Sequence, residues 1–331
     1  MKRIFFLILI FATVANSQPA FSEISSMPGA FSRMGFGARG IGMGNVLSSV
    51  KDGNLVAYYN PALASFQNEM SLQTSYSFLS LDRTLNFISF TRKFELGKIK
   101  TPDGEVKPRS VAGISAGIIN AGVSNIDARD AQGIKTGDES TSENQFFLAV
   151  SNKFSDKLAI GIAFKFYYYK LFEEFTSTGL GFDIGALYSF NELLTLSLVV
   201  KDINSKYEWD SGKIYGQSGR QTKDKFPLLT KIGVSYKFIE PKIIAAVEFE
   251  NTNAGTKYFR AGAEYNIYTD LYLRAGIDRV NVSNFDVPVK PSFGFSYFYF
   301  LNSFRIGIDY AFVIEPYSSS DQHIIGINVN F

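Results

Sequence analysis

From Glu69 to the last residue the chain alternates apolar and polar side chains with a period of two, over and over, and no stretch shows the length and 3.6-residue periodicity of a long amphipathic helix. About fourteen such segments follow one another, the first near 70–79 and the last near 321–331, most of them close to the 9 to 11 residues that a tilted strand needs to cross a bilayer. Three show the phase cleanly. Phe304, Ile306, Ile308, Tyr310, Phe312 and Ile314 oppose Ser303, Arg305, Gly307, Asp309 and Ala311. Phe259, Ala261, Ala263, Tyr265 and Ile267 oppose Arg260, Gly262, Glu264 and Asn266, and Leu271, Leu273, Ala275 and Ile277 oppose Arg274, Gly276 and Asp278. Turning Arg or Lys to mid-bilayer lipid costs about 2–4 kcal/mol, so in a membrane barrel the charged faces look inward.

A soluble sandwich alternates too, with its apolar face inward. The connections separate the two readings. Tight turns at Ser155-Asp156-Lys157, Asn191-Glu192, Glu240-Pro241, Thr269-Asp270 and Asn302 alternate with longer links at 122–143, 171–178, 204–226, 252–256, 281–290 and 315–320. Short turns at one end and longer loops at the other characterise outer-membrane barrels, as does an even number of strands. The 96–109 link is the exception, long on the side where the others are short. Aromatics make up 15% of the residues, and charged residues, at 19%, fall below the roughly 25% usual in soluble domains. Tyr167-Tyr168-Tyr169, Tyr188 and Phe190, Tyr236 and Phe238, and Tyr297 to Phe300 sit near segment ends, as interfacial girdles do.

Composition removes several functions. A net charge of +2 without basic clusters gives no case for nucleic acid. There is no cysteine, hence no disulfide or thiolate chemistry, and a single histidine, His323, argues against a His-based metal site or triad. No G-x-S-x-G, P-loop or EF-hand loop is present. The expectation is a non-enzyme without metal or cofactor.

The N-terminus has the parts of a secretory signal peptide: Lys2-Arg3, the apolar run Ile4 to Val14, then Ala15-Asn16-Ser17. Cleavage is expected after Ser17. Between this leader and the first strand lies a glycine-dense block, Phe31 to Ala64, that matches neither neighbour in composition. Gly35-Phe36-Gly37-Ala38-Arg39-Gly40 satisfies G-x-G-x-x-G, but the strand and helix that a dinucleotide site requires around it are missing. Glycines permit close packing of backbone, so the block reads as a hatch held against an inner wall. Glu248 and Glu250, Arg260 and Glu264, Arg274 and Asp278, and Arg305 and Asp309 share the inward faces of the later strands, where neighbours of opposite charge pair into a structural network.

The stretch Gly37, Ala38, Arg39, Gly40, Ile41, Gly42, Met43, Gly44, Asn45, followed by Tyr59, Asn60, Pro61, Ala62, resembles the N-terminal signature of the PorV/PorQ group, allied to the FadL-type outer-membrane proteins. The resemblance implies an N-terminal hatch before a fourteen-stranded barrel ending in an aromatic residue. It marks Phe331, after Ile325, Ile327 and Val329, as the signal read by the barrel-assembly machinery. PorV-like members receive the C-terminal domains of secreted cargo in type IX secretion and surface attachment. FadL-like members take up long-chain fatty acids or other hydrophobic compounds.

The expectation is therefore all-β: a monomeric, transmembrane, antiparallel up-and-down β-barrel of about fourteen strands in a Gram-negative-type outer membrane. Residues 1–17 form the signal peptide, 18–68 the hatch and 69–331 the barrel. The role favoured is secretion or surface assembly of the PorV/PorQ kind, with hydrophobic uptake as the alternative. Outer-membrane lipid, the assembly machinery and secreted cargo are the expected partners.

Overall fold

Fourteen of the alternating segments form strands that close on themselves in a computed structural model describing residues 21–100, 104, 106–172 and 175–331. The expected leader lies outside these residues. The strands are β1 (Ser71–Phe78), β2 (Arg83–Lys100), β3 (Val106–Arg129), β4 (Lys135–Lys153), β5 (Leu158–Phe172), β6 (Phe175–Ser189) and β7 (Leu194–Ile203). A short hairpin of β8 (Lys206–Asp210) and β9 (Gln221–Lys225) follows. Then come β10 (Leu229–Lys237), β11 (Ile243–Thr252), β12 (Lys257–Tyr268), β13 (Leu271–Asn281), β14 (Lys290–Leu301), β15 (Phe304–Val313) and β16 (Gln322–Asn330). Each pairs antiparallel with its neighbour, β7 pairs with β10, and β1 pairs with β16 from Ser71–Asn330 to Phe78–His323, which closes the barrel.

Closure leaves β1–β7 and β10–β16 without a free edge, the one arrangement that satisfies strand backbones inside a bilayer. The phase is the one expected: Ile308, Ile277 and Tyr265 are exposed on the outer face while Asp309, Asp278 and Glu264 are buried. A closed barrel carrying an apolar outer face and a polar inner one is an outer-membrane protein.

The pattern underestimated some strands. Most of the 96–109 and 122–143 links are strand: Leu96 pairs with Ser110 and Lys100 with Val106, while Ile126 pairs with Glu139. Beyond the bilayer both faces of a strand meet water, so the ladder continues without the alternation that reveals it. The 204–226 link likewise contains β8 and β9, with β8 laid onto β6 at Ser177–Trp209. The girdle expectation needs correction at three residues. Tyr167, Tyr169 and Phe298 turn inward, Tyr167 against Phe226 and Phe298 against Tyr272, whereas Tyr188, Phe190, Tyr236, Phe238, Tyr297 and Tyr299 face out.

The N-terminal segment runs inside the barrel. It contains 3-10 turns at Glu23–Ser26 and Ala30–Arg33, a short helix α1 (Gly37–Gly42) and a 3-10 turn at Pro61–Phe66. Phe36, Met43, Tyr59 and Leu63 are among the most completely buried side chains of the chain. Helix α1 stops where Gly44 (φ 66°) and Asn45 (φ 62°) take left-handed backbone in succession, which reverses the chain within the lumen.

Candidate functional site

Two sets of inner-wall glycines give the N-terminal segment its seat. A Cβ at Gly113, Gly161 or Gly185 would land on the stretch Asn60–Ser65, and one at Gly262 or Gly276 would land on Met43 and Gly44. On the segment's side, a Cβ at Gly42 would come within 3.3 Å of Ala311 Cβ and of Gly294 Cα. Backbone thus meets backbone across the lumen, which is what bare glycines on both surfaces permit. The side chains of Asn60 and Asn45 finish the fit. Asn60 caps the 3-10 turn, its Oδ1 accepting from the Ala62 amide at 2.9 Å, and its Nδ2 donates to the Ser48 carbonyl at 2.9 Å and the Ala186 carbonyl of β6 at 3.2 Å. Pro61 stands at the start of the same turn and Ala62 is fully buried. Asn45 Oδ1 accepts from the Tyr59 hydroxyl at 2.8 Å and its Nδ2 donates to Asp278 at 3.1 Å.

Arg39 is the ionic anchor. Its Nε and Nη2 donate to both oxygens of Glu264 at 2.9 and 2.8 Å, and its Nη1 donates to the Asn54 carbonyl at 2.9 Å. Glu264 also accepts from Arg274 Nε at 2.6 Å, its cross-strand neighbour on β13. Further along, Arg260 meets Asp278 at 2.5 Å, Glu250 at 3.1 Å and Glu248 at 3.4 Å, and Lys231 meets Glu248 at 2.9 Å and Glu250 at 3.1 Å. The inward charges of β11–β13 are thus brought together, with Lys231 as a member that the alternation of β10 places but that sequence reading passed over. Arg305 and Asp309 do not pair with each other. Asp309 accepts from Ser296 and from Asn328, and Arg305 lies over the Phe298 ring at 4.1 Å.

A second buried cluster, on β5–β7, was missed. Lys165 Nζ lies 2.7 Å from Asp183 and 2.9 Å from Asp202, and the Tyr167 hydroxyl donates to Asp202 at 2.7 Å. Lys201 donates to the Tyr58 carbonyl at 3.0 Å with its ammonium 3.9 Å from the Tyr58 ring centre. The available signal was Lys165 between Phe164 and Phe166, a charge in inward phase on an otherwise apolar strand.

The remaining side of the lumen is aromatic. Phe36 of the N-terminal segment packs on Phe87 at 4.9 Å, on Phe147 at 5.9 Å and on Tyr58 at 5.5 Å between ring centres. The same buried cluster continues through Tyr167, Phe226 and Tyr207 to Tyr169, Trp209 and Phe175, where the β8–β9 hairpin covers the end of the barrel with the longer loops. At the opposite end a cavity of about 480 Å³ opens among the short turns, lined by Asn54, Phe238, Ile243, Ile244, Tyr272, Arg305 and Asn330 among others. Phe331 sits at that end, its backbone exchanging two 3.0 Å hydrogen bonds with Met70. His323 is exposed on the outer face, its Nδ1 2.7 Å from the Tyr310 hydroxyl, and forms no triad with Asp321.

No known protein family matches the sequence, and no curated protein matches it either. Solved structures do. The toluene transporter TbuX of Ralstonia pickettii aligns over 89% of this chain and 98% of its own, at 12% identity and a TM-score of 0.59. The toluene transporter TodX of Pseudomonas putida aligns over 89% and 96%, at 15% identity and a TM-score of 0.55. A FadL homologue of Pseudomonas aeruginosa aligns over 89% and 98%, at 12% identity and a TM-score of 0.57. At these identities the likeness is one of architecture: the chain has the fold of the FadL-type outer-membrane barrels.

Proposed function

We propose that this barrel admits hydrophobic compounds across the outer membrane, with residues 21–68 as the hatch that the permeant passes. The observation that carries the reading is the division of the lumen. One side is an ionic wall that grips the hatch through Arg39 and Asn45; the other is a buried aromatic cluster from Trp209 to Phe36, interrupted beside Tyr167 by the paired charges of Lys165, Asp183 and Asp202. An apolar permeant loses nothing by leaving water for aromatic side chains, whereas the ionic wall would have to be desolvated. The names of TbuX and TodX as toluene transporters support the same reading. A deletion strain should lose uptake of labelled toluene, and Phe147→Asp should lose it with the barrel still folded. Unchanged uptake in both would remove the proposal.

The PorV/PorQ resemblance supports a second reading, in which the barrel passes secreted cargo to the surface. The motif residues in question, Arg39, Asn45 and Asn60, are all buried and engaged with the inner wall. That use suits a hatch under either reading, so the cargo assay decides. Unprocessed C-terminal-domain proteins in the periplasm of the deletion strain would support secretion; normal surface display would exclude it.

A further inference from the structure

The leading end of the N-terminal segment, residues 21–26, lies at the end of the barrel with the longer loops. Phe21 stacks on Tyr317 of the 315–320 loop at 5.2 Å between ring centres. The Tyr258 hydroxyl donates to Ser22 Oγ at 2.7 Å, the Ile24 amide donates to Thr256 Oγ1 at 3.3 Å, and Glu23 lies against Gly255. Ile24 itself is buried with Leu229 and Tyr258. These partners belong to the β11–β12 connection and the strand ends beside it.

Further along, the segment reaches the opposite end. Lys51 Nζ donates to Ser189 Oγ at 3.3 Å and to the Asn191 carbonyl at 3.4 Å in the β6–β7 turn, and Asp52 accepts from Lys237 beside the Glu240-Pro241 turn. The chain then turns back to seat Asn60 and Pro61 on the inner wall, and leaves at Met70 next to Phe331. Both ends of the lumen thus hold the same segment by side-chain bonds. Arg33 stiffens the hold at the loop end. It donates to the carbonyls of Ile24, Met27 and Pro28 at 3.2, 3.0 and 2.6 Å, while Arg279 of β13 donates to the Arg33 carbonyl at 2.7 Å. Terminal segments are poorly ordered unless tied down, and this one is tied where it meets the loops.

Outer-membrane barrels keep short turns in the periplasm and longer loops outside the cell. We infer that the segment is a strap threaded through the whole lumen and fixed at both rims, and that residues 21–26 form part of the cell-surface face of the protein. Phe21, Glu23, Ser25 and Ser26 are exposed there, while Ser22 and Ile24 are buried against the wall. The expected signal-peptide cleavage leaves the new N-terminus in the periplasm, so this end crosses the plane of the outer membrane during assembly. A macromolecule outside the cell meets the strap directly, without entering the lumen. The inference rests on the closed barrel and its two kinds of end, and holds whichever compound or protein the barrel passes.

The chain has no cysteine, so a single introduced thiol reports one position. Ser26→Cys tests the leading end, and Phe21→Cys repeats the test at a second exposed residue, so the result does not depend on one variant. Gln132→Cys in the exposed β3–β4 turn is the outer reference, and Asp156→Cys in the Ser155-Asp156-Lys157 turn the periplasmic one. The probe is a maleimide joined to a polyethylene glycol chain too large to cross the outer membrane, applied to cells whose barrels retain heat-modifiable migration. Ser26→Cys, Phe21→Cys and Gln132→Cys should be labelled to the same extent before and after the outer membrane is permeabilised, and Asp156→Cys only after it. Leading-end thiols that need permeabilisation, or that stay unreactive after it, would overturn the inference. Labelling of Asp156→Cys in intact cells would overturn it too, by placing the short turns outside.

Discussion

Arg39 and Glu264 are joined by two hydrogen bonds, at 2.9 and 2.8 Å, across 225 residues of chain, and this buried pair ties the N-terminal segment into the charge network of the barrel wall. Glu264 has two cationic partners, so it serves the wall through Arg274 and the segment through Arg39 at once.

Arg39→Ala should therefore loosen the segment from within. Breaking one side of a buried pair typically costs about 3–5 kcal/mol, because the other charge stays behind in low dielectric. Here Arg274 still faces Glu264, so the lower end of that range is expected. Limited proteolysis of the folded barrel reports it: residues 21–68 should become cleavable in the variant and resist in the parent. Equal resistance would show that the segment is held without Arg39, by the glycine seat and the remaining contacts such as Asn45–Asp278 and Asn60–Ala186.

Gly40→Leu should impair folding far more than the same change at Gly137. A Cβ at Gly40 would fall on the Tyr59 hydroxyl, which already bonds Phe36 and Asn45, whereas one at Gly137 meets nothing within 4 Å. Overpacking a filled interior costs about 1–3 kcal/mol. The folded fraction, read from heat-modifiable migration on gels, should drop for Gly40→Leu alone.

The lipid-facing phase predicts a penalty for Ile308→Arg, a residue 55% exposed on the outer face of β15. Near mid-bilayer that change costs about 2–4 kcal/mol. Thr136→Arg, on the exposed extension of β4 beyond the bilayer, should cost little. Denaturant titration in lipid vesicles compares them, and similar penalties would contradict the register.

Removal of Phe331 should reduce the heat-modifiable, membrane-inserted fraction in cells. Its backbone closes the β16 end onto Met70, and its ring packs 6.0 Å from Phe304. Phe331→Tyr should be tolerated if an aromatic terminus is what the assembly machinery reads, and equal assembly of the truncated chain would exclude that role.

Alternation along single segments was enough to determine the strands and their inward and outward faces, because lumen and lipid each impose a demand on every second residue. For the same reason the charges of β11–β13 could be placed inside before any neighbour was known. The extensions of β2–β4 escaped because both faces there meet water, and Lys165 escaped because one charge in an apolar run is a weak signal. What only the tertiary structure decided were relationships between residues far apart. Arg39 reaches Glu264, Gly44 lies against Gly276, and Arg305 is left without a carboxylate beside a cavity. Those outcomes depend on which strands closure brings face to face and on how an internal segment fills the space between them, and no local period encodes either.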